Sequence, residues 1–402
     1  MGTSKLTVAV VGTGRWAQRA HIPGWQRDGR AEVVALADTD ADALAETAAM
    51  FGVGRTVSDY RELLEDPAID VVDVVTGNQP HYEISWAALT AGKHVLCEKP
   101  VHPDYRKTRE VAELAAAKGL KTKVGFTFRY APAIQYAKSL IDSGFVGEPY
   151  IFNGYEQNSQ WIDPATPLRQ VDPTRDPATI AVSSIEGYGA PIIDIMHWWL
   201  GRPMRSVVGT MRNFVPVRMI RDTGQMTRAN IDDGDMWIAE YDGGTLASIQ
   251  SSYVTVGNYP GIEARIYGSE GAIIARLVDE FGICQTIKTA TKDAVEFTQA
   301  DIPAEFFPAG GHSGEPWEYL FYSNLIADFI SEITGGSAGS DGPACQGDFA
   351  QASLVQETIN AFEASFRQRA WVDFPLAGAA VRVDGAAGRV EPQSERLEEA
   401  TP

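Results

Sequence analysis

Two rhythms divide the chain. From Leu6 to Phe126, short continuous apolar runs alternate with amphipathic stretches; from Ser206 to Leu277, apolar and polar residues mostly alternate one by one. The runs Leu6 to Val11 (LTVAVV), Glu32 to Ala37, Val71 to Val75, His94 to Cys97 and Lys121 to Phe126 are short and largely β-branched. Strands of that kind are buried on both faces, as in a parallel sheet covered by helices. The stretches between them predict helices over 40–51, 59–65, 82–91 and 103–118. Strand and helix in alternation make an α/β, doubly wound Rossmann sheet. A helix over 131–143, a strand over 149–157 and a helix over 191–200 follow. The period-two segments 206–212, 235–241, 245–254, 262–267 and 272–277 read as strands, with Asp242-Gly243-Gly244 and Gly268-Ser269-Glu270-Gly271 as hairpin turns. They predict a second α/β domain built on a large open, mostly antiparallel sheet. Helices over 315–333 and 346–367 and a strand over 370–374 close it. The expected units are 1–127, 128–376 and a flexible tail, 377–402, rich in Ala, Gly and Glu.

Composition narrows the functional classes. The 402 residues are 44% hydrophobic and 22% charged, enough to bury a sizeable core. The formal net charge of −19 argues against nucleic acid, whose phosphates need a basic face. It argues equally against a polybasic membrane-surface protein. No apolar run is long enough to span a bilayer, and no secretory leader is legible, so the cytoplasm is expected. Cys97, Cys284 and Cys345 are scattered, which gives neither a disulfide framework nor a cysteine metal pair; no metal is expected.

The chemistry gathers at the ends of the early strands. The first runs into Gly12-Thr13-Gly14-Arg15-Trp16-Ala17, the G-x-G-x-x-A form of the dinucleotide fingerprint. Its first glycine permits a tight turn, its second lets backbone approach a pyrophosphate, and Ala17 allows close packing. The second strand ends at Asp38, where an acid would bond a ribose 2′-hydroxyl and repel a 2′-phosphate, favouring NAD. The alternative is that Asp38 caps the helix beginning at residue 40. Thr76, Gly77 and Asn78 follow the next strand in a small-residue turn; His81 after it could cap, touch a cofactor or face solvent. The fourth strand stops at Glu98-Lys99-Pro100. Pro100 stiffens the corner and biases Lys99 toward extended backbone, so Lys99 stands at the carboxyl edge of the sheet, where ligands lie. The bland reading is a lysine on a solvated loop.

These segments, with Gly125-Phe126-Thr127-Phe128-Arg129-Tyr130, closely resemble the glucose-fructose oxidoreductase, inositol 2-dehydrogenase and rhizopine-catabolism (Gfo/Idh/MocA) family over nearly the whole chain bar the tail. The resemblance implies NAD(P), polyol or sugar substrates, and cofactor contacts at Gly12, Thr13, Gly14, Arg15, Trp16, Asp38, Thr76, Gly77, Asn78, His81, Glu98, Lys99 and Arg129. Relatives carry D-x-x-x-H before an apolar helix, the His being the proposed proton acceptor. Anchoring on Asp194 and Leu200-Gly201 places Gly187 at that Asp and Pro191 at that His. Neither side chain transfers a proton. His197 is three residues from Asp194, so the two can bond each other on one helix face, and direct catalysis by either is the alternative. Lys99 becomes the first candidate for the proton, with Tyr188 and Glu186 flanking the vacated position as relay or as packing and cap.

The long segment 158–184 carries Trp161, which offers a face for a sugar to stack on, and Arg169 and Arg175, which could clamp an anionic substituent or merely pair with nearby aspartates. His312, on a glycine-rich loop, is a further substrate candidate. The leading expectation is an NAD-dependent oxidation of a secondary hydroxyl on a sugar or cyclitol. A second is an NAD-dependent glycoside hydrolase, a chemistry of some branches resembling this family, acting on a glycoside of a sulfonated or carboxylated sugar. A third is a catalytically silent nucleotide sensor. An open sheet with one apolar face predicts a homodimer or homotetramer.

Overall fold

The structure, a computed structural model, describes residues 5–168, 180–221, 223–257, 261–279, 283–312, 314–335 and 347–376. The early apolar runs form strands β1 (Leu6–Val11), β2 (Ala31–Ala37), β3 (Arg55–Val57), β4 (Val71–Val74), β5 (His94–Cys97) and β6 (Thr122–Val124), in the order β3-β2-β1-β4-β5-β6. All five pairings are parallel. This is the doubly wound α/β sheet expected. The strand order reverses between β1 and β4, so the loops after Val11 and Val74 leave the same edge side by side, opening the crevice where such sheets bind ligands.

Gly12 makes that crossing possible. Its φ is +99°, and a Cβ there would lie 2.6 Å from the Val75 carbonyl carbon and oxygen. The obstacle is backbone and cannot swing aside. Gly12→Ala is expected to cost about 1–3 kcal/mol through the positive-φ backbone, with the clash against Val75 added to it, visible as a lower denaturation midpoint.

The second sheet comprises β7 (Pro149–Gln157), β8 (Met204–Arg212), β11 (Gly234–Tyr241), β12 (Leu246–Ser252), β13 (Gly261–Gly268), β14 (Gly271–Asp279), β15 (Ile283–Thr291), β16 (Ala294–Ala300) and β17 (Val372–Asp373). Their order is β16-β15-β14-β13-β7-β12-β11-β8-β17. Only β7 and β12 run parallel in this mostly antiparallel sheet. A separate ribbon pairs β9 (Val217–Ile220) with β10 (Gln225–Arg228). Helix Ala190–Leu200 covers the inner face: Ile192 packs so tightly over Gly154 that a Cβ there would meet it at 2.5 Å.

The expected boundary near residue 127 is crossed from the far end of the chain. Helix Trp317–Thr334 inserts Leu325, Ile326, Phe329 and Ile330 into the core beside β1 and β2. Ile326 sits where a side chain on Gly24 would go. Helix Phe349–Gln368 links the halves through the Arg109–Glu357 ion pair and the hydrogen bond from Tyr105 N–H to Asn360. No described helix is long and apolar enough to cross a membrane. The tail 377–402 lies outside the described residues.

Candidate active site

The fingerprint loop is locked from one side. The Asp38 carboxylate accepts from the Thr13 N–H (2.7 Å) and hydroxyl (2.9 Å), and from the Asp40 N–H (2.9 Å). Asp38 is therefore not the helix cap; Asp40 is, accepting from the N–H groups of Asp42 and Ala43. The other side of the loop is open: a Cβ on Gly14 or Gly77 would meet nothing within 4 Å. Arg15, Gly77 and Asn78 are exposed along this edge, with Thr76 and Asp38 half-buried. A tight first glycine, an open second one and a half-exposed acid at the end of β2 fit a dinucleotide.

Two expected cofactor contacts point inward instead. The His81 ring is 1% exposed, its Nδ1 2.8 Å from the Pro100 carbonyl and its Nε2 3.2 Å from that of Thr76. It neither caps a helix with its side chain nor faces solvent; it staples the Thr76 turn to the residue after Lys99. Arg129 is 1% exposed and forms a two-point pair with Asp194, Nε to Oδ2 at 2.8 Å and Nη2 to Oδ1 at 2.5 Å. Its guanidinium is occupied by that carboxylate at the join between the two halves.

Trp16 and Glu98 belong to a buried network behind Lys99. Glu98 accepts from the Tyr322 hydroxyl (2.6 Å) and the Trp16 indole N–H (3.2 Å), and lies 3.1 Å from His21 Nε2. Its second oxygen takes the Lys99 backbone N–H at 3.3 Å. His21 Nδ1 lies 2.9 Å from Asp73, which also accepts from Trp25. Burial disfavours the charged imidazole, but Asp73 and Glu98 on its two nitrogens outweigh this and lift His21 to about 9. Burial likewise opposes Glu98 ionisation, and His21 overcomes it, holding the carboxyl at about 2. A raised histidine stabilises the fold below its unfolded value near 6.5 and loses that contribution as pH rises through 9. Stability is thus expected to fall between pH 6.5 and 9 by on the order of 3 kcal/mol. Urea titrations at the two pH values check this, and His21→Gln should flatten the difference.

Lys99 is half-buried at the end of β5, and its ammonium donates to the Gly187 carbonyl at 2.7 Å. Gly187 is the residue aligned above with the family Asp. It lies on the turn Ile185–Gly189, which leads directly into helix Ala190–Leu200. Tyr188 and the half-buried Glu186 share that turn. The Tyr188 hydroxyl donates to Gln160 at 2.6 Å, and its ring lies 5.9 Å from Trp161 and 5.6 Å from Tyr253. Burial pushes the phenol up, with Glu156 adding to the effect.

Asp194 and His197 do not bond each other. Asp194 turns to Arg129 and Gln351. His197 Nε2 is 2.8 Å from Thr358 Oγ1, and the Tyr241 hydroxyl lies 3.1 Å from Nδ1. Burial, with Arg129 nearby, depresses His197 to about 3, so it is neutral and enclosed. Three-residue spacing gave proximity on one helix face, but each side chain found a closer partner on a neighbouring element. His312 sits on an exposed loop, paired with Glu315. Arg169 and Arg175 lie outside the described residues. No group of metal-ligating side chains occurs among the described residues.

Two acids went unnoticed in the sequence. Glu156 (4% exposed) and Asp235 (3% exposed) lie on the inner face beneath the Lys99 turn. A signal existed, since each is a lone carboxylate at a core position of an alternating strand.

Residues 6–126 match the model described as oxidoreductase family, NAD-binding Rossmann fold, and residues 134–274 match the GFO/IDH/MocA C-terminal domain. The chain belongs to the Gfo/Idh/MocA oxidoreductase family. A levoglucosan dehydrogenase of Pseudarthrobacter phenanthrenivorans is 28% identical over 252 residues, 60% of this chain and 63% of that protein. The match thus spans under two thirds of that relative's length. The scyllo-inositol 2-dehydrogenase (NAD(+)) of Bacillus subtilis is 27% identical over 275 residues, 67% of this chain and 73% of its own. Among solved structures, an NAD binding oxidoreductase from Klebsiella pneumoniae superposes with a TM-score of 0.79 at 26% identity, covering 92% of this chain and 99% of that one. A levoglucosan dehydrogenase in complex with NADH and levoglucosan superposes at 0.78 with 23% identity, covering 92% and 100%; that likeness concerns the fold.

Proposed function

We propose that this Gfo/Idh/MocA protein is an NAD-dependent oxidoreductase acting on a secondary hydroxyl of a sugar, sugar derivative or cyclitol. The observation that carries the reading is the Lys99 ammonium, brought by β5 to the fingerprint edge and fixed there by the Gly187 carbonyl. Gly12, Thr13, Gly14, Asp38, Thr76, Gly77 and Asn78 would hold the dinucleotide. When bound, NAD supplies the ring that accepts a hydride. Lys99 would be the group that receives the substrate hydroxyl's proton. Glu98 fixes the Lys99 backbone, and Gly187 aims the amine. Trp161, packed edge-on to Tyr188, offers an apolar wall to a sugar face.

The names of its relatives suggest the panel to test: inositols, aldoses and anhydrosugars with NAD, followed by NADH absorbance. Formation of NADH with at least one polyol, and a preference for NAD over NADP set by Asp38, supports the reading. Tight NAD binding with no turnover across the panel rejects it. We place the enzyme in the cytoplasm. We infer a homodimer or homotetramer through the open sheet face, where Ile151, Met236, Ile238 and Leu246 are exposed.

A further inference from the structure

The Gly187 carbonyl that receives the Lys99 ammonium is not held by side-chain packing. A Cβ on Gly187 would meet nothing within 4 Å, so the place of that carbonyl depends on how the turn Ile185–Gly189 is fixed at its start. The Gly187 N–H donates back to the Ser183 carbonyl at 2.8 Å. Ser183 and its neighbours therefore set where the acceptor for Lys99 sits.

The turn runs straight into helix Ala190–Leu200, and the N–H groups at its start have no acceptor within the helix. Ser184 stands at the cap position, yet its side chain makes no cap bond; its hydroxyl lies 3.3 Å from that of Ser251. The cap comes from a distant segment. The Asp232 carboxylate accepts from the N–H groups of Ser183, Ser184 (3.1 Å) and Ile185 (3.2 Å), one oxygen taking the first two and the other the third. Asp232 is fully buried just before β11. Its own N–H donates to the Ala181 carbonyl at 2.9 Å, and its backbone carbonyl accepts from the Tyr253 hydroxyl at 2.9 Å. An anion at a helix N-terminus is held by the N–H groups and by the aligned peptide dipoles together. Burial pushes this carboxyl up to about 7 against the pull of the three N–H groups, with Asp233 adding to the rise. The cap is therefore at full strength above that pH. The titratable groups facing it are Asp233 beside it, Asp235 on β11 and Tyr253 after β12.

We propose that Asp232 is a positioning residue for Lys99: it ties the start of the turn to the second sheet and, through Ser183 and the Gly187 carbonyl, holds the ammonium in place. This rests on the dehydrogenase reading above, in which Lys99 meets the substrate hydroxyl. The path is three hydrogen bonds long: Ser183 N–H to Asp232, Gly187 N–H to the Ser183 carbonyl, and Lys99 Nζ to the Gly187 carbonyl. No proton moves along it. Lys99 comes from the first sheet and its acceptor is registered to the second, so the path aligns the two halves at the amine. Asp233 supplies the control. It is buried as deeply, but it bonds the N–H groups of Phe214 and Val215 and the Arg218 guanidinium, none of them on the turn.

The decisive readout needs no turnover. Reductive methylation with formaldehyde is followed at Lys99 by peptide mass spectrometry at about pH 8, with the exposed Lys121 as internal standard. Asp232→Ala should speed labelling of Lys99 about tenfold relative to Lys121, the order expected for one hydrogen bond from a charged donor. Asp232→Asn, which keeps an oxygen for Ser183 and Ser184, should fall between the two, and it carries the test alone if the alanine variant does not fold. Asp233→Asn should leave the Lys99 rate at the wild-type value. Equal Lys99 rates in the wild type and the folded Asp232 variants, or an equal rise in Asp233→Asn, overturn the proposal. Where the panel provides a substrate, Asp232→Ala should also lower kcat about tenfold with NADH affinity within about twofold, and Asp232→Asn should recover part of kcat. A fall in kcat with Lys99 labelling unmoved means Asp232 is only structural, and overturns the proposal while leaving the dehydrogenase reading intact. Absence of wild-type turnover bears on that reading alone, since the labelling rates still decide the role of Asp232.

Discussion

Lys99→Ala is expected to lower turnover by two to four orders of magnitude (about 10²–10⁴-fold) while leaving NAD affinity within a few-fold. The asymmetry follows from where the parts of this residue bond. Its backbone N–H belongs to the network, donating to Glu98, and survives the substitution. Only the amine is lost, and it donates to the Gly187 carbonyl, on the turn before helix Ala190–Leu200 and away from the fingerprint loop. Steady-state kinetics on a substrate found with the panel, with NADH fluorescence titration alongside, separate the two effects. Loss of NAD affinity in step with turnover would make Lys99 a cofactor anchor instead.

Asp194→Ala is expected to destabilise the fold by about 3–5 kcal/mol, because it strands the Arg129 guanidinium away from water. Both side chains are buried, at 0% and 1% exposure, and they join helix Ala190–Leu200 to the segment leaving β6. Gln351, from a third element, also donates to Asp194 and would lose its acceptor. Denaturant titration reads the loss. A pair of apolar replacements, Asp194→Leu with Arg129→Met, should recover much of it, since burying two matched charges is itself costly. A catalytic Asp194 would show the reverse pattern, with normal stability and lost turnover.

How much was legible depended on whether an element met the core. The five early apolar runs form parallel strands near the expected places, because continuous β-branched runs have few alternatives. The strand Arg55–Val57 was not legible, being three residues long and largely exposed. The ribbon of β9 and β10 and the edge strand β16 escaped for a related reason: β10 and most of β16 are exposed, so no apolar alternation marks them. The fingerprint loop and Lys99 could be read from local sequence, since turn geometry and a strand end are local properties. The partners of Arg129 and His197, and the Pro100 carbonyl beside His81, could not, because each lies on another segment of the chain. Alternation marked Glu156 and Asp235 one by one, but that they share a row with Ser251 between them follows only from the register of β7, β12 and β11.

The site also explains how the chain can lack the expected D-x-x-x-H pair. Gly187 and Pro191 contribute backbone there: a carbonyl for Lys99 and a first helical turn that needs no N–H donor. In the reading proposed above, the proton-handling group lies instead after β5, at Lys99.

A crystal structure of the protein with NADH and a bound polyol tests the central claim most directly. The account predicts the Lys99 Nζ within hydrogen-bond reach, about 3 Å, of the hydroxyl on the carbon facing the nicotinamide. A Lys99 side chain turned away into bulk water, with another group holding that hydroxyl, would contradict it.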